Sequence, residues 1–162
     1  MADPTQNEFL ASLEAKGKRA NYFFRMMANR PKVLETFVPL YGAVVGPGTV
    51  DRRIKELVYL ACSYANRCAY CTAAHVASGG KAGITAEEMQ AVQSEQNAGF
   101  TGPERAAIHY ARELTRTADA GTTRDALLQH FNEEQVVEIT LVAAMANFTN
   151  RFNNGLQLQP EE

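Results

Sequence analysis

Apolar residues recur three and four positions apart along most of this chain, and Gly, Pro, Thr or Asn breaks the pattern at helix-length intervals. β-branched runs are few and alanine is abundant. Spacing of that kind lays one apolar face along a helix, so the expectation is an all-α fold. The first helix is expected from about Gln6 to Ala15, stopped at Gly17, and a second from near Asn21. Pro31 suits the first turn of a third, which ends around Gly46-Pro47-Gly48. Asp51 caps a fourth, from Arg52 to about Asn66, with Ile54, Leu57, Val58, Ala61, Tyr64 and Ala65 as its stripe.

A fifth helix is expected from Cys68 to Ser78, ending at Gly79-Gly80. Thr85 and Glu88 have capping-box spacing for a sixth, Pro103 begins a seventh after the loop from Asn97, and Thr122 or Thr123 caps a short eighth. Asn132 caps the last, from Glu133 to about Phe152. Its Val-Val-x-Ile-Thr-Leu-Val stretch can be read as a strand, but length and the following Ala-Ala-Met-Ala favour helix. Val136, Val137, Ile139, Leu141, Val142, Met145 and Phe148 make it apolar on most sides, as in a central or interface helix.

The chain has 162 residues, 46% of them apolar and 21% charged, with a net charge of −2. These values suit one globular domain, expected over 21–156, with a helical extension over 1–20 and a flexible tail over 157–162. No basic excess is present, so no nucleic-acid partner is expected. No apolar run approaches the ~20 residues of a membrane span, so no membrane association is expected. The N-terminus, MADPTQNEF, lacks an apolar signal region. Three cysteines, Cys62, Cys68 and Cys71, do not make a secreted disulfide framework. A close pair without an export signal points to a reducing, cytoplasmic compartment and to redox or metal chemistry.

Cys68, Cys71 and His75 are spaced i, i+3 and i+7. On a helix they fall within an arc of roughly 60°. A disulfide needs Cβ atoms nearer than neighbours on a regular helix face, so the pair belongs at a first turn, with Asn66-Arg67 as the break before it. There the unpaired N–H groups and the helix dipole stabilise a thiolate, Cys71 more than Cys68. On one straight helix Glu56 would lie about 18 Å from Cys68. A chain reversal at Asn66-Arg67 instead brings Glu56 opposite His75 across an antiparallel helix pair. The order becomes carboxylate, imidazole, thiol, which is the arrangement of an activated nucleophile.

Glu-x11-Cys-x2-Cys-x3-His, here Glu56, Cys68, Cys71 and His75, resembles the signature of the alkyl hydroperoxidase D (AhpD)-like proteins of the carboxymuconolactone decarboxylase superfamily. The flanking Lys55-Glu56-Leu57-Val58 and Asn147-Phe-Thr-Asn-Arg151 resemble it too, and the likeness spans about Asn21 to Leu156. It implies an all-helical AhpD-like fold assembled as homotrimers or homohexamers. It also implies a peroxidase acting on hydrogen peroxide or alkyl hydroperoxides, with Cys71 peroxidatic, Cys68 resolving, and Glu56 and His75 as a proton relay. An external dithiol of lipoyl or thioredoxin type would reduce the disulfide, and neither haem nor flavin is needed. The best characterised type of the family has His before the second Cys. This chain has Tyr70 and resembles the peroxidase-related subgroup.

Other readings attach to the same residues. The cysteine pair can be structural, or Cys68, Cys71, His75 and Glu56 can hold zinc. On superfamily grounds, a lactone decarboxylase is an alternative activity. A thioredoxin-like fold fails for want of a βαβ pattern, and haem attachment fails because Thr72 follows Cys71. Glu56 alone would be a solvated partner of Arg52 or Arg53. Cys62 is expected to be a small core residue, and His109 and His130 surface or helix-end groups. Tyr22, Phe23, Phe24, Met26 and Met27 read as core, and Asn150 and Arg151 as solvated surface.

Overall fold

The computed structural model describes every residue except Lys18, Ala98 and Glu162. Ala98 of the loop after Asn97 and Glu162 of the expected tail therefore lie outside the described residues. All regular elements among the described residues are helical. The chain forms two compact units, Met1–Ala43 with Glu161, and Val44–Pro160.

In the first unit a short 3-10 turn, Pro4–Gln6, precedes α1 (Glu8–Ala15), α2 (Tyr22–Met27) and most of α3 (Pro31–Val45). Asn7 caps α1, so the helix starts two residues later than the apolar pattern suggests. Asn21 caps α2. Phe23 and Met27 are buried, and Phe23 packs edge-on against Phe37 with ring centroids 5.3 Å apart. Glu161 accepts a hydrogen bond from the Tyr22 backbone N–H at 2.7 Å and pairs with Arg19 at 2.8 Å.

The second unit holds α4 (Arg52–Ala65), α5 (Ala69–Lys81), α6 (Ala86–Gln93), α7 (Gly102–Thr117), α8 (Thr123–Leu128) and α9 (Glu133–Gly155). Helix α4 is its axis, packed against α5, α6, α7 and α9. That is why its residues from Leu57 to Ser63 are all buried, well beyond the width of one apolar stripe. Asp51 caps α4 as its position suggests. Lys55 is buried, and its ammonium donates to the Gly46 carbonyl at 2.7 Å and meets Glu138 of α9 at 2.5 Å. Glu138 also accepts from the Thr49 N–H at 2.8 Å, fixing the loop that precedes α4. At Gly48 a Cβ would stand 1.9 Å from Glu138 Oε1, so any larger residue there would displace that carboxylate.

Several further helix ends differ from the sequence reading. Helix α5 runs through Gly79 and Gly80 to Lys81. The terminating glycine is Gly83, at φ +81°, with the Ile84 N–H on the Gly79 carbonyl and the Gly83 N–H on the Gly80 carbonyl. Gly79 instead allows close packing, since a Cβ would meet Ile84 and Met89 at 3.2 and 3.3 Å. Helix α7 starts at Gly102 because Thr101 and Glu104 form a capping box around Pro103. Thr122 precedes α8 without a side-chain cap. Asn132 and Gln135 close a capping box on α9, which continues to Gly155. Val136, Ile139, Val142 and Ala146 of α9 are buried, whereas Val137, Leu141 and Phe148 are exposed. No described helix is long and apolar enough to cross a membrane.

Candidate functional site

Helix α4 stops because Asn66 caps it and Arg67 takes the left-handed conformation, φ 53°. Asn66 Nδ2 donates to Asn147 and Asn150 of α9 at 3.0 and 2.9 Å, which locks the reversal in place. Asn150 is fully buried and donates to Ser63 at 3.2 Å, so it is an internal strut of this turn and no surface group. Its amide finds two partners, Asn66 and Ser63, that lie more than eighty residues away in sequence, which local patterning does not display. Arg151, exposed, bonds back to Asn147.

The chain re-enters a helix at Cys68, the N-cap of α5. Its sulfur accepts from the Cys71 N–H at 3.3 Å, in the place of the usual capping oxygen. The two sulfurs are joined as a disulfide with Cα atoms 5.4 Å apart. Relaxed first-turn geometry permits this across only three positions. Cys68 and Cys71 are 0% and 3% exposed. Asn153 of α9 donates its Nδ2–H to Cys71 Sγ at 3.1 Å.

One turn further along α5 stands His75. Its Nδ1 lies 2.8 Å from Glu56 Oε2, across the α4–α5 pair. Ser78 Oγ donates to the same carboxylate oxygen at 2.5 Å, and Arg52 approaches the other at 3.9 Å. Burial pushes the Glu56 carboxyl up, but the His75 and Ser78 hydrogen bonds and the nearby cationic charge outweigh it, leaving it below the ordinary range. Glu56 is therefore ionised near neutrality, and because an ionised carboxylate can only accept, the Nδ1 facing it carries a proton. That leaves Nε2 as the basic position. Tyr59, one turn along α4 from Glu56, stacks on the imidazole with centroids 3.6 Å apart. Its hydroxyl shares a hydrogen bond with Thr149 Oγ1 at 2.5 Å. The ring is thus clamped by an aromatic face and a carboxylate.

Arg53, the other candidate partner of Glu56, turns to Glu88 and Glu104 instead, each at 2.6 Å. Cys62 of α4 faces Ala111 and Thr115 of α7 and Ala143 of α9. It is fully buried, and burial pushes its thiol up to about 12 although Thr115 donates to it. His109 and His130 are exposed, as expected. A cleft of about 610 Å³ borders the outer face of the first turn of α5 at Thr72 and Ala73 and includes Arg67 and Arg112 among its walls. Among the described residues no group of three or more His, Cys, Asp or Glu side chains is arranged to hold a metal.

Sequence reasoning missed Tyr59, Ser78 and Asn153. Tyr59 and Ser78 had a signal: each follows a site residue, Glu56 or His75, by three positions on its own helix. Asn153 had none, because only the packing of α9 brings it to Cys71.

The profile of the carboxymuconolactone decarboxylase family matches residues 31–113, just over half of the chain. An uncharacterised Bacillus subtilis (strain 168) protein, YdfG, is 27% identical over 111 residues, covering 65% of this chain and 74% of its own. An uncharacterised peroxidase-related protein from Silicibacter sp. TM1040 superposes with a TM-score of 0.82 at 23% identity, covering 99% of this chain and 88% of that one. A protein of unknown function from Agrobacterium tumefaciens, provisionally named as the antioxidant defence protein AhpD, gives 0.75 at 26% identity, covering 83% and 96%.

Proposed function

We propose, from the premise that the chain belongs to the carboxymuconolactone decarboxylase family and has an AhpD-like fold, that it is a thiol-dependent peroxidase for hydrogen peroxide or alkyl hydroperoxides. The observation that carries this reading is the sulfur pair at the first turn of α5, one helical turn below an imidazole held by a partly buried carboxylate. A decarboxylase has no need of two adjacent sulfurs.

In the reduced protein His75, oriented by Glu56, takes the Cys71 thiol proton. The thiolate attacks the terminal oxygen of ROOH. The O–O bond breaks, Cys71 becomes a sulfenic acid, and RO⁻ leaves to collect the proton as ROH. Cys68 then displaces the sulfenic oxygen as water and forms the Cys68–Cys71 disulfide. An external dithiol of lipoyl or thioredoxin type returns two electrons and two protons by exchange. Val137, Leu141 and Phe148, exposed on α9, support assembly of further copies into a trimer or hexamer. A cytoplasmic setting suits a pair that must be re-reduced.

The test is peroxide consumption by the reduced protein, fed by dihydrolipoamide, beside carbon dioxide release from a muconolactone. Turnover of peroxide without decarboxylation is expected. Decarboxylation that survives Cys71→Ser would overturn the reading.

A further inference from the structure

Asn153 is 2% exposed, and its carboxamide has two unlike ends. Nδ2 donates to Cys71 Sγ at 3.1 Å, while Oδ1 is buried and finds no donor among the described residues. A buried carbonyl oxygen without a donor keeps its desolvation penalty uncompensated, so such a group is normally satisfied in some state of the molecule. The neighbouring groups that change their hydrogen-bonding capacity are the two sulfurs. A disulfide offers no donor and accepts weakly, whereas reduction adds two electrons and two protons and creates a thiol S–H, or a thiolate that accepts strongly.

We propose that Asn153 is a redox-state sensor of the sulfur pair that selectively stabilises its reduced form: Nδ2–H holds the Cys71 thiolate and Oδ1 accepts the S–H of Cys68. This deepens the peroxidase reading and rests on it for the role of Cys71. Because α9 carries the amide and α5 the sulfurs, the contact also makes the packing of α9 sensitive to oxidation. Favouring the dithiol raises the reduction potential, so the disulfide formed in turnover is more readily reduced by an external dithiol.

The test is the redox equilibrium of Cys68–Cys71 in glutathione buffers, together with the pH profile of Cys71 alkylation, in the wild type, Asn153→Leu and Asn153→Ala. Circular dichroism verifies folding of each variant. Loss of the amide should shift the equilibrium about tenfold toward the disulfide, about 30 mV for this two-electron couple, and move the alkylation profile about one unit to higher pH. In the wild type the side-chain amide resonance of Asn153 should move downfield on reduction, which keeps the proposal testable if both variants fail to fold. An unchanged equilibrium and profile, or an amide resonance indifferent to redox state, would overturn it. A wild type that consumes no peroxide but shows these shifts would sink the peroxidase reading and leave Asn153 its role. A working peroxidase whose potential ignores Asn153 would do the reverse.

Discussion

Cys62 and Cys71 sit on neighbouring helices, both nearly or fully inaccessible, yet their surroundings differ in every respect that matters for thiol chemistry. Cys62 lies in the middle of α4, where every N–H is already committed to the helix, and burial drives its thiol up to about 12. Its one hydroxyl donor, Thr115, does not offset that burial. Cys71 occupies the first turn of α5, with a second sulfur as the helix cap, an asparagine donor from α9, and an imidazole one turn away. Burial by itself makes a cysteine inert. Burial at a helix start, among donors, leaves it able to hold charge.

The sharpest way to break this contrast is to exchange the roles of the two cysteines. Cys71→Ser should abolish disulfide formation and reduce peroxide consumption to the buffer blank, whereas Cys62→Ala should leave the rate within about twofold. Iodoacetamide should label reduced Cys71 in the native protein and Cys62 only after unfolding, read by peptide mass spectrometry. Labelling at equal rates would erase the distinction.

Next in size is Glu56→Gln. Loss of the carboxylate frees the ring and removes the group that fixes Nδ1 as donor, with an expected drop of about 100-fold in the rate of Cys71 oxidation. Stopped-flow peroxide kinetics read this directly.

Stability should fall with acid. The carboxyls of Glu56 and Glu138 are both held below their ordinary value of 4.5, against burial that pushes them up. Depressed carboxyls contribute fully above the unfolded value and lose that contribution as pH falls through the folded one. Urea midpoints should therefore be level from pH 7 to about 5 and decline below about 4.5. Glu138→Gln should flatten part of that decline.

The smallest effect is expected at Ser78→Ala. One hydrogen bond to Glu56 is lost, about 1 kcal/mol or less of stability. The acid limb of Cys71 oxidation should move to slightly higher pH, because Glu56 then holds its proton more readily.

Much of this site was legible in the chain. The Cys68, Cys71 and His75 spacing places three groups on one helix face, and the break at Asn66-Arg67 turns Glu56 toward His75. Both readings need only helix periodicity and one reversal, and the 2.8 Å contact is their outcome. The helix caps at Asp51, Asn132 and Thr85 were legible because capping chemistry is local. Gly79 and Gly80 misled, because a glycine ends a helix only where the backbone turns left-handed, and that happens at Gly83. Asn150 and Asn153 look like surface residues in a polar stretch. Their burial depends on where α9 packs, a long-range outcome that side-chain polarity obscures.

The most direct measurement treats the fully reduced protein with one equivalent of hydrogen peroxide, quenches it with an alkylating agent under denaturing conditions, and maps all three cysteines by mass spectrometry. A single product is expected, two hydrogens lighter, with Cys68 linked to Cys71 and Cys62 alkylated. Oxidised Cys62, or a Cys71 that is alkylated as a free thiol while peroxide disappears, would contradict the assignment of redox chemistry to the first turn of α5.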